Sequence, residues 1–299
     1  MSDCDERPGH PPDRTLCGAR RSCRSPSRRT RTPTPIDGRR TAHRRGRSGP
    51  ARVRQRTPLD PLRLLPARHL FHYLPQQPDY NKRLRAAAPL LATAITHLAK
   101  VSPSWCDDLR LIDATPIPCG TSRETVARSD LAGHAGYGYC ASHSRFYWGF
   151  KLYLLAAPDG MPIAWCLADP KIGERDVCLD LLTIAVETGQ LATGATVLAD
   201  KGLAGHDIEA WIGWLGVRML RPDRRDEKAR HGNLGGARQW IEAIFDTLKG
   251  QLGLEHHGGR TTQGVGARVA QRLLALAAGV WHNWIIGANH KRSLTAYDH

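Results

Sequence analysis

No apolar run in the sequence is long enough to cross a bilayer. The longest near the C-terminus, residues 273–281, stops at His282 and Asn283, well short of the roughly 20 residues that a spanning helix needs. Nor does an apolar segment follow the first basic residues, so nothing there reads as a secretory leader. Cysteines occur at 4, 17, 23, 106, 119, 140, 166 and 178 without a C-x-x-C pair, which removes zinc-type spacing and dithiol redox motifs from consideration. Free thiols are the default, with Cys166 and Cys178 as small core residues. Lysine is missing from residues 1–60, and no internal repeat is visible.

What the chain does have is positive charge. Its 299 residues carry 43 Lys plus Arg against 28 Asp plus Glu, a formal +15, which suggests a polyanionic partner. Residues 1–60 hold 16 Arg and 6 acids and so contribute +10; the other 239 residues carry only +5. That first stretch is dense in Pro, Ser and Thr, as in SPSRRTRTPTP at 25–35. It has too few large apolar side chains to offset the entropy of ordering it. A disordered tail is expected over 1–61. With 41% hydrophobic and 24% charged residues overall, the remainder has enough apolar content for one or two cores.

From about residue 62 the texture changes. Leu84, Ala87, Leu91, Ala94, Ile95 and Leu98 recur at helical spacing, with a break expected at Pro89. LRLIDATPIP from 109 reads as a short buried strand ended by Pro116 and Pro118. A Gly-, Ser- and His-rich stretch follows to 144. RFYWGFKLYLL then alternates with period two, and Pro158, Asp159 and Gly160 turn it into a second strand at 161–167, a hairpin. A helix is expected over 175–188, closing at Gly189, then a buried strand in TVLADKG, a helix at 206–215 and a strand at 217–220. Strand and helix alternating in this way imply parallel pairing. Helices at 237–252 and 265–286 complete the chain.

Three acids stand where a side chain is held: Asp113 at the end of the first core strand, Asp200 at the end of the later one, and Glu242 inside a helix. Ends of adjacent parallel strands meet at one sheet edge, so Asp113 and Asp200 can be neighbours although 87 positions apart in sequence. At about 100° per residue, Arg238 and Lys249 line up with Glu242 at the border of the buried face. Converging carboxylates repel one another. Divalent metal resolves the repulsion, oxygen ligands suit Mg²⁺ or Mn²⁺, and two such ions stabilise the entering and leaving oxygens of phosphodiester cleavage. The plainer reading stays open on spacing alone: a turn-capping Asp, and an i, i+4 surface pair in Arg238 and Glu242.

These residues resemble a known family, the bacterial insertion-sequence transposases with an RNase H-like DDE catalytic domain. LIDATPIP at 111–118 resembles its first-Asp motif and VLADKG at 197–202 its second. RQWIEAIFDTLKGQLG at 238–253 resembles the third, matching R-x3-E-x6-K with Arg238, Glu242 and Lys249. The sequence at 137–155 followed by DGMPI looks like the intervening hairpin. The position three before Arg238, often Tyr in the family, is Gly235 here.

The resemblance implies an α/β fold, an RNase H-like mixed sheet flanked by helices over 105–290. A short helical region at 62–104, the remnant of a DNA-binding part, precedes it, and 291–299 form a C-terminal tail. It implies a catalytic and metal-binding triad of Asp113, Asp200 and Glu242 with two Mg²⁺ or Mn²⁺ ions. Element ends are cut and the freed 3′ hydroxyl is joined to target DNA. Arg238, Lys249 and Lys201 would hold phosphates. By position, Arg123 and Arg128 in the polar loop after the first Asp either meet DNA beside the strand edge or belong to a solvated loop. Partners would be double-stranded DNA, at terminal repeats and target, and a second copy in a synaptic homodimer, in the cytoplasm at the nucleoid, with no membrane. Alternatives are a nuclease on the same fold and an inactive DNA-binding remnant. The arginine-rich start is either a foreign or frame-shifted beginning or a polybasic DNA-binding arm.

Lesser candidates are set aside. His134, His143, His231, His256 and His257 lack metal-site spacing and read as solvent- or phosphate-contacting groups. Glu174 and Asp176 could bring a further carboxylate to the metals, although helix capping is simpler. Trp211, Trp214, Trp240, Trp281 and Trp284 fall at helical positions and are expected in the core.

Overall fold

The computed structural model describes residues 72–120, 122–140, 144–228, 230 and 234–297. The tail expected at 1–61 and the start of the helical region, 62–71, lie outside the described residues, as do His143 and His231.

The sheet is built around β3 (Arg145–Ala156), whose alternating apolar residues supply two packing faces. Leu152, Tyr153, Leu154, Leu155 and Ala156 are all fully buried, so both faces are covered, as a near-continuous apolar run requires. Along one side β3 pairs antiparallel with β1 (Leu109–Gly120). Along the other its first half pairs with β2 (Gly136–Cys140) and its second half with β4 (Pro162–Ala168), both antiparallel. Beyond β1 lie β5 (Thr196–Leu198) and β6 (Arg218–Leu220), each parallel to its neighbour. The order is β2-β3-β1-β5-β6 with β4 beside β3. The mixed sheet and the parallel pairing expected from the sequence are both present.

Helices α1 (Gln77–Ala86) and α2 (Ala88–Lys100) divide at Ala87, with Pro89 in the first turn of α2, where its missing N–H leaves no helical bond unmade. After the short α3 (Arg123–Ala127), α4 (Glu174–Glu187) packs on β3 and β4. It stops two residues before Gly189, whose φ of +68° suits glycine. Next come α5 (His206–Trp214), α6 (Gly235–Asp246), which packs on β1, and α7 (Thr262–Ile285), which packs on α2 and β4. The hairpin turn is tied to α7 through Asp159: Oδ1 accepts from Met161 N and Oδ2 from Trp284 Nε1 at 2.7 Å.

Four expectations are corrected. β1 does not stop at Pro116 and Pro118 but runs on to Gly120. Its pairing with β5 ends at Leu111, so beyond that point β1 is an edge on that side. Two prolines two residues apart, facing away from β3, remove no ladder bond there. Second, the polar stretch after Cys119 contains α3 and β2. Third, the helix expected over 237–252 is α-helical only to Asp246. It continues as a π turn, Thr247–Gln251, marked by Leu252 N donating to Thr247 O. Such a wider turn changes the angular phase of everything after it, so the alignment of Lys249 with Glu242 reckoned at 100° per residue does not carry over. Fourth, Trp211, Trp214 and Trp240 are exposed rather than in the core, while Trp281 and Trp284 are half-buried against it.

One close approach holds β1 on β3. A Cβ at Gly149 would lie 2.0 Å from Ile117 O and 3.0 Å from Cys119 N, both backbone atoms that cannot swing aside. Gly149→Ala is therefore expected to cost more than about 3 kcal/mol through forced separation of the strands. Gly236→Ala, where nothing lies within 4 Å of a Cβ, should be neutral or slightly stabilising. Chemical denaturation of the two variants beside wild type checks both.

Candidate functional site

The parallel register between β1 and β5 places two of the acids. Leu109 pairs with Thr196, Arg110 with Val197 and Leu111 with Leu198. Asp113 and Asp200 each lie two residues beyond the last pair, at equivalent positions along adjacent chains. Asp113 therefore faces Asp200 from within a strand, not from its end. Asp200 caps the 3₁₀ turn Lys201–Leu203, its Oδ1 accepting from Lys201 N at 2.7 Å. Asp113 makes the matching contact, Oδ1 accepting from Ala114 N at 2.7 Å.

Arg238, four residues into α6, reaches across to Asp200 with Nη2 3.2 Å from Oδ1. Asp113, Asp200, Arg238 and Ile241 line one small cleft of about 10 Å³, room for about one water molecule. The Asp113 carboxyl is raised from the ordinary aspartate value to about 6. Burial is the largest cause; the charges of Glu174 and Asp200 add to it, and the Ala114 amide and Arg238 oppose it.

The structure thus joins three of the sequence candidates, Asp113, Asp200 and Arg238. Glu242 is exposed on α6, one turn beyond Arg238. Lys249 is half-buried within the π turn, and Lys201 is exposed beside Asp200. Arg123 and Arg128, both exposed, border α3 near the far end of β1. Among the described residues no group of three or more His, Cys, Asp or Glu stands at metal-binding separation. Glu174 belongs near the site. It opens α4 without capping it, pairs with Lys151 Nζ at 2.9 Å, and its charge acts on Asp113. Its place just before an apolar helix was a legible signal, but capping explained that placement equally well.

His257 is corrected from an exposed contact group to a buried clamp. Nε2 lies 3.0 Å from Pro118 O, and Nδ1 accepts from Gly259 N, which fits a neutral ring donating from Nε2. Burial holds its pKa down. Cys178 is buried and Cys166 partly so, and burial pushes both thiols up, Cys166 to about 11, so neither is a nucleophile.

In charge, two facing carboxylates with hard oxygen donors fit a divalent cation. In space, Arg238 supplies the positive charge that such an ion would bring. Asp113 and Asp200 would hold such an ion in so small a cleft only with Arg238 released from Asp200.

A family of transposase DDE domains matches residues 104–278 of the sequence. The chain belongs to this family. Among solved structures, a pre-cleavage Mos1 transpososome aligns at 10% identity with a TM-score of 0.25, over 69% of this chain and 64% of that one. The chain thus spans less than two thirds of that relative. No curated protein matches. The mixed sheet with helices around it agrees with the α/β class expected from the sequence. No helix among the described residues is long and apolar enough to cross a membrane.

A carboxyl raised to about 6 favours the fold when protonated. That contribution is complete below the ordinary aspartate value of 3.8 and is lost as pH rises through about 6. At pH 7.5 in chelator, Asp113→Asn should therefore melt roughly 2–6 °C above wild type, for about 1–2 kcal/mol after allowing for partial solvent access. The gain should vanish near pH 4. Melting at or below wild type at pH 7.5 would mean that Asp113 is not strained by its surroundings.

Proposed function

We propose that this protein is the DNA transposase of an insertion sequence. It cleaves at element ends and transfers the 3′-hydroxyl strand to target DNA, as a homodimer in the cytoplasm. The observation that carries the reading is the facing pair Asp113 and Asp200, set at one register level, with one carboxyl strained by burial and by its neighbours' charge. A fold keeps such an unfavourable arrangement where function draws on it.

In this reading Asp113, Asp200 and Glu242 would hold two Mg²⁺ or Mn²⁺ ions. Bound there, the ions supply charge neutralisation for the entering and leaving oxygens of phosphodiester cleavage. The chain's own groups do the rest. Asp113 must lose its proton before it can ligate, so burial sets the pH at which the site becomes competent. Arg238 releases Asp200 and offers its guanidinium to a phosphate oxygen, a pairing suited to its planar donors. Lys201 and Lys249 add positive charge beside the acids, and Arg123 and Arg128 extend the track for DNA. Hydrophobic contacts of Ile241 and Phe245 seat α6 so that Arg238 stays within reach of Asp200.

Glu174 supplies a specific rival for the third ligand, because its charge acts on Asp113. Two substitutions divide the alternatives. If Glu242 completes the site, Glu242→Gln should lower cleavage of labelled element-end DNA at least about 100-fold and abolish the Mn²⁺-induced rise in melting temperature. Glu174→Gln should then change cleavage less than about tenfold. The reverse order assigns the third ligand to Glu174. In the same assay Asp200→Ala is the inactive control. Cleavage with joining supports the transposase, cleavage alone a nuclease, and binding with neither an inactive remnant.

A further inference from the structure

The β2–β3 hairpin carries a feature that the carboxylate site does not use. Tyr139 and Phe146 face each other across the hairpin, with Tyr137 opposite Trp148 two residues along. Trp148 is buried, but Tyr137, Tyr139 and Phe146 are 52%, 53% and 78% exposed. The rings of Tyr139 and Phe146 lie 4.9 Å apart at 55°, which leaves most of the Phe146 ring in solvent. Three exposed aromatics on one short hairpin are not accounted for by the core.

Their surroundings are cationic. Tyr137, Phe146, Arg123 and Arg145 line a groove of about 940 Å³ that runs along the end of β1. Arg145 pairs with Glu255 at 3.3 Å, with Arg145 half-exposed, so the pairing is weak and readily exchanged for a phosphate. Arg123 makes no ion pair among the described residues. Aromatic faces beside arginines are the chemistry of unpaired nucleobases: rings stack on bases while guanidinium groups hold the backbone.

The groove is also in line with the acids. Asp113 and Gly120 are seven residues apart on β1, about 23 Å at a strand's rise, or roughly seven nucleotides at 3.4 Å each.

The geometry points to a binding site for unpaired bases of DNA on the β2–β3 hairpin. Phe146, Tyr139 and Tyr137 are its stacking platform, and Arg145 and Arg123 its phosphate contacts. The inference rests on the proposed DNA-cutting role, for which a strand opened beside the cleaved bond is the natural occupant.

The test is fluorescence anisotropy of the full chain, in chelator, with a labelled 20-nucleotide mixed-sequence single strand and with the matching blunt duplex. Phe146→Ala and Tyr139→Ala, both at exposed positions, should each weaken single-strand binding roughly 5- to 100-fold. Duplex affinity should shift less than about threefold. Phe146→Trp should retain single-strand binding, whereas Phe146→Leu, which keeps apolar bulk without a ring to stack, should lose it. Arg145→Ala should lower the salt slope by about one. Circular dichroism confirms that each variant is folded.

Unchanged single-strand affinity in Phe146→Ala, or equal loss for both DNA forms, overturns the inference. So does loss of a dimer by sedimentation with DNA binding intact, which makes the patch a self-association face. No cleavage occurs in this assay, so the two readings fail separately. Discrimination by Phe146 in a protein that never cuts element ends overturns only the transposase reading. Cleavage by a protein indifferent to Phe146→Ala overturns only this one.

Discussion

Three residue pairs between β1 and β5 determine where the chemistry can be. Leu109, Arg110 and Leu111 lie beside Thr196, Val197 and Leu198, and everything at the acid pair follows from that alignment. Strand side chains alternate with a period of two, so a slip of one residue would turn Asp200 to the opposite face from Asp113. The alignment is short and relies on burial to hold it. Leu111, Val197 and Leu198 are buried in the core, and Arg110, itself 4% exposed, donates to the carbonyls of Trp105, Asp107 and Leu109. The arginine locks the approach to β1 just before the carboxylate that needs placing.

Electrostatics and packing then oppose each other at one point. Burial and neighbouring acids push the Asp113 carboxyl toward its neutral form, and Arg238 alone among the nearby side chains opposes them. Arg238 depends in turn on the seating of α6 by Ile241, Ile244 and Phe245, all buried. The core thus bears on the acids through a single helix face, and a loss of packing at Ile241 would be felt first in the hold of Arg238 on Asp200.

Much of this was legible in the sequence for a physical reason. Period-two alternation marked β3, the Pro158-Asp159-Gly160 turn marked β4, Gly189 marked the end of α4, and the alternation of strands with helices marked the parallel half of the sheet. The neighbouring placement of Asp113 and Asp200 followed from parallel pairing alone. What was not legible depended on partners distant in sequence. Pro116 and Pro118 looked like strand breakers because nothing local shows that β5 ends at Leu198 and leaves β1 an open edge. The π turn after Asp246 leaves no mark in a helical periodicity. His257 is buried because Pro118, 139 residues earlier, supplies an acceptor. The exposure of Trp211 and Trp214 shows that helical spacing identifies a face without saying whether anything covers it.

The prolines have a further consequence. An uncovered strand edge normally invites another strand, and proteins guard such edges against unwanted pairing. Past Leu111 the outer side of β1 lacks two of the amide hydrogens that a newcomer would need. The margin beside the acids is thereby closed to a foreign polypeptide backbone. His257 takes up the Pro118 carbonyl on the same side, so little of this margin is left to seed aggregation.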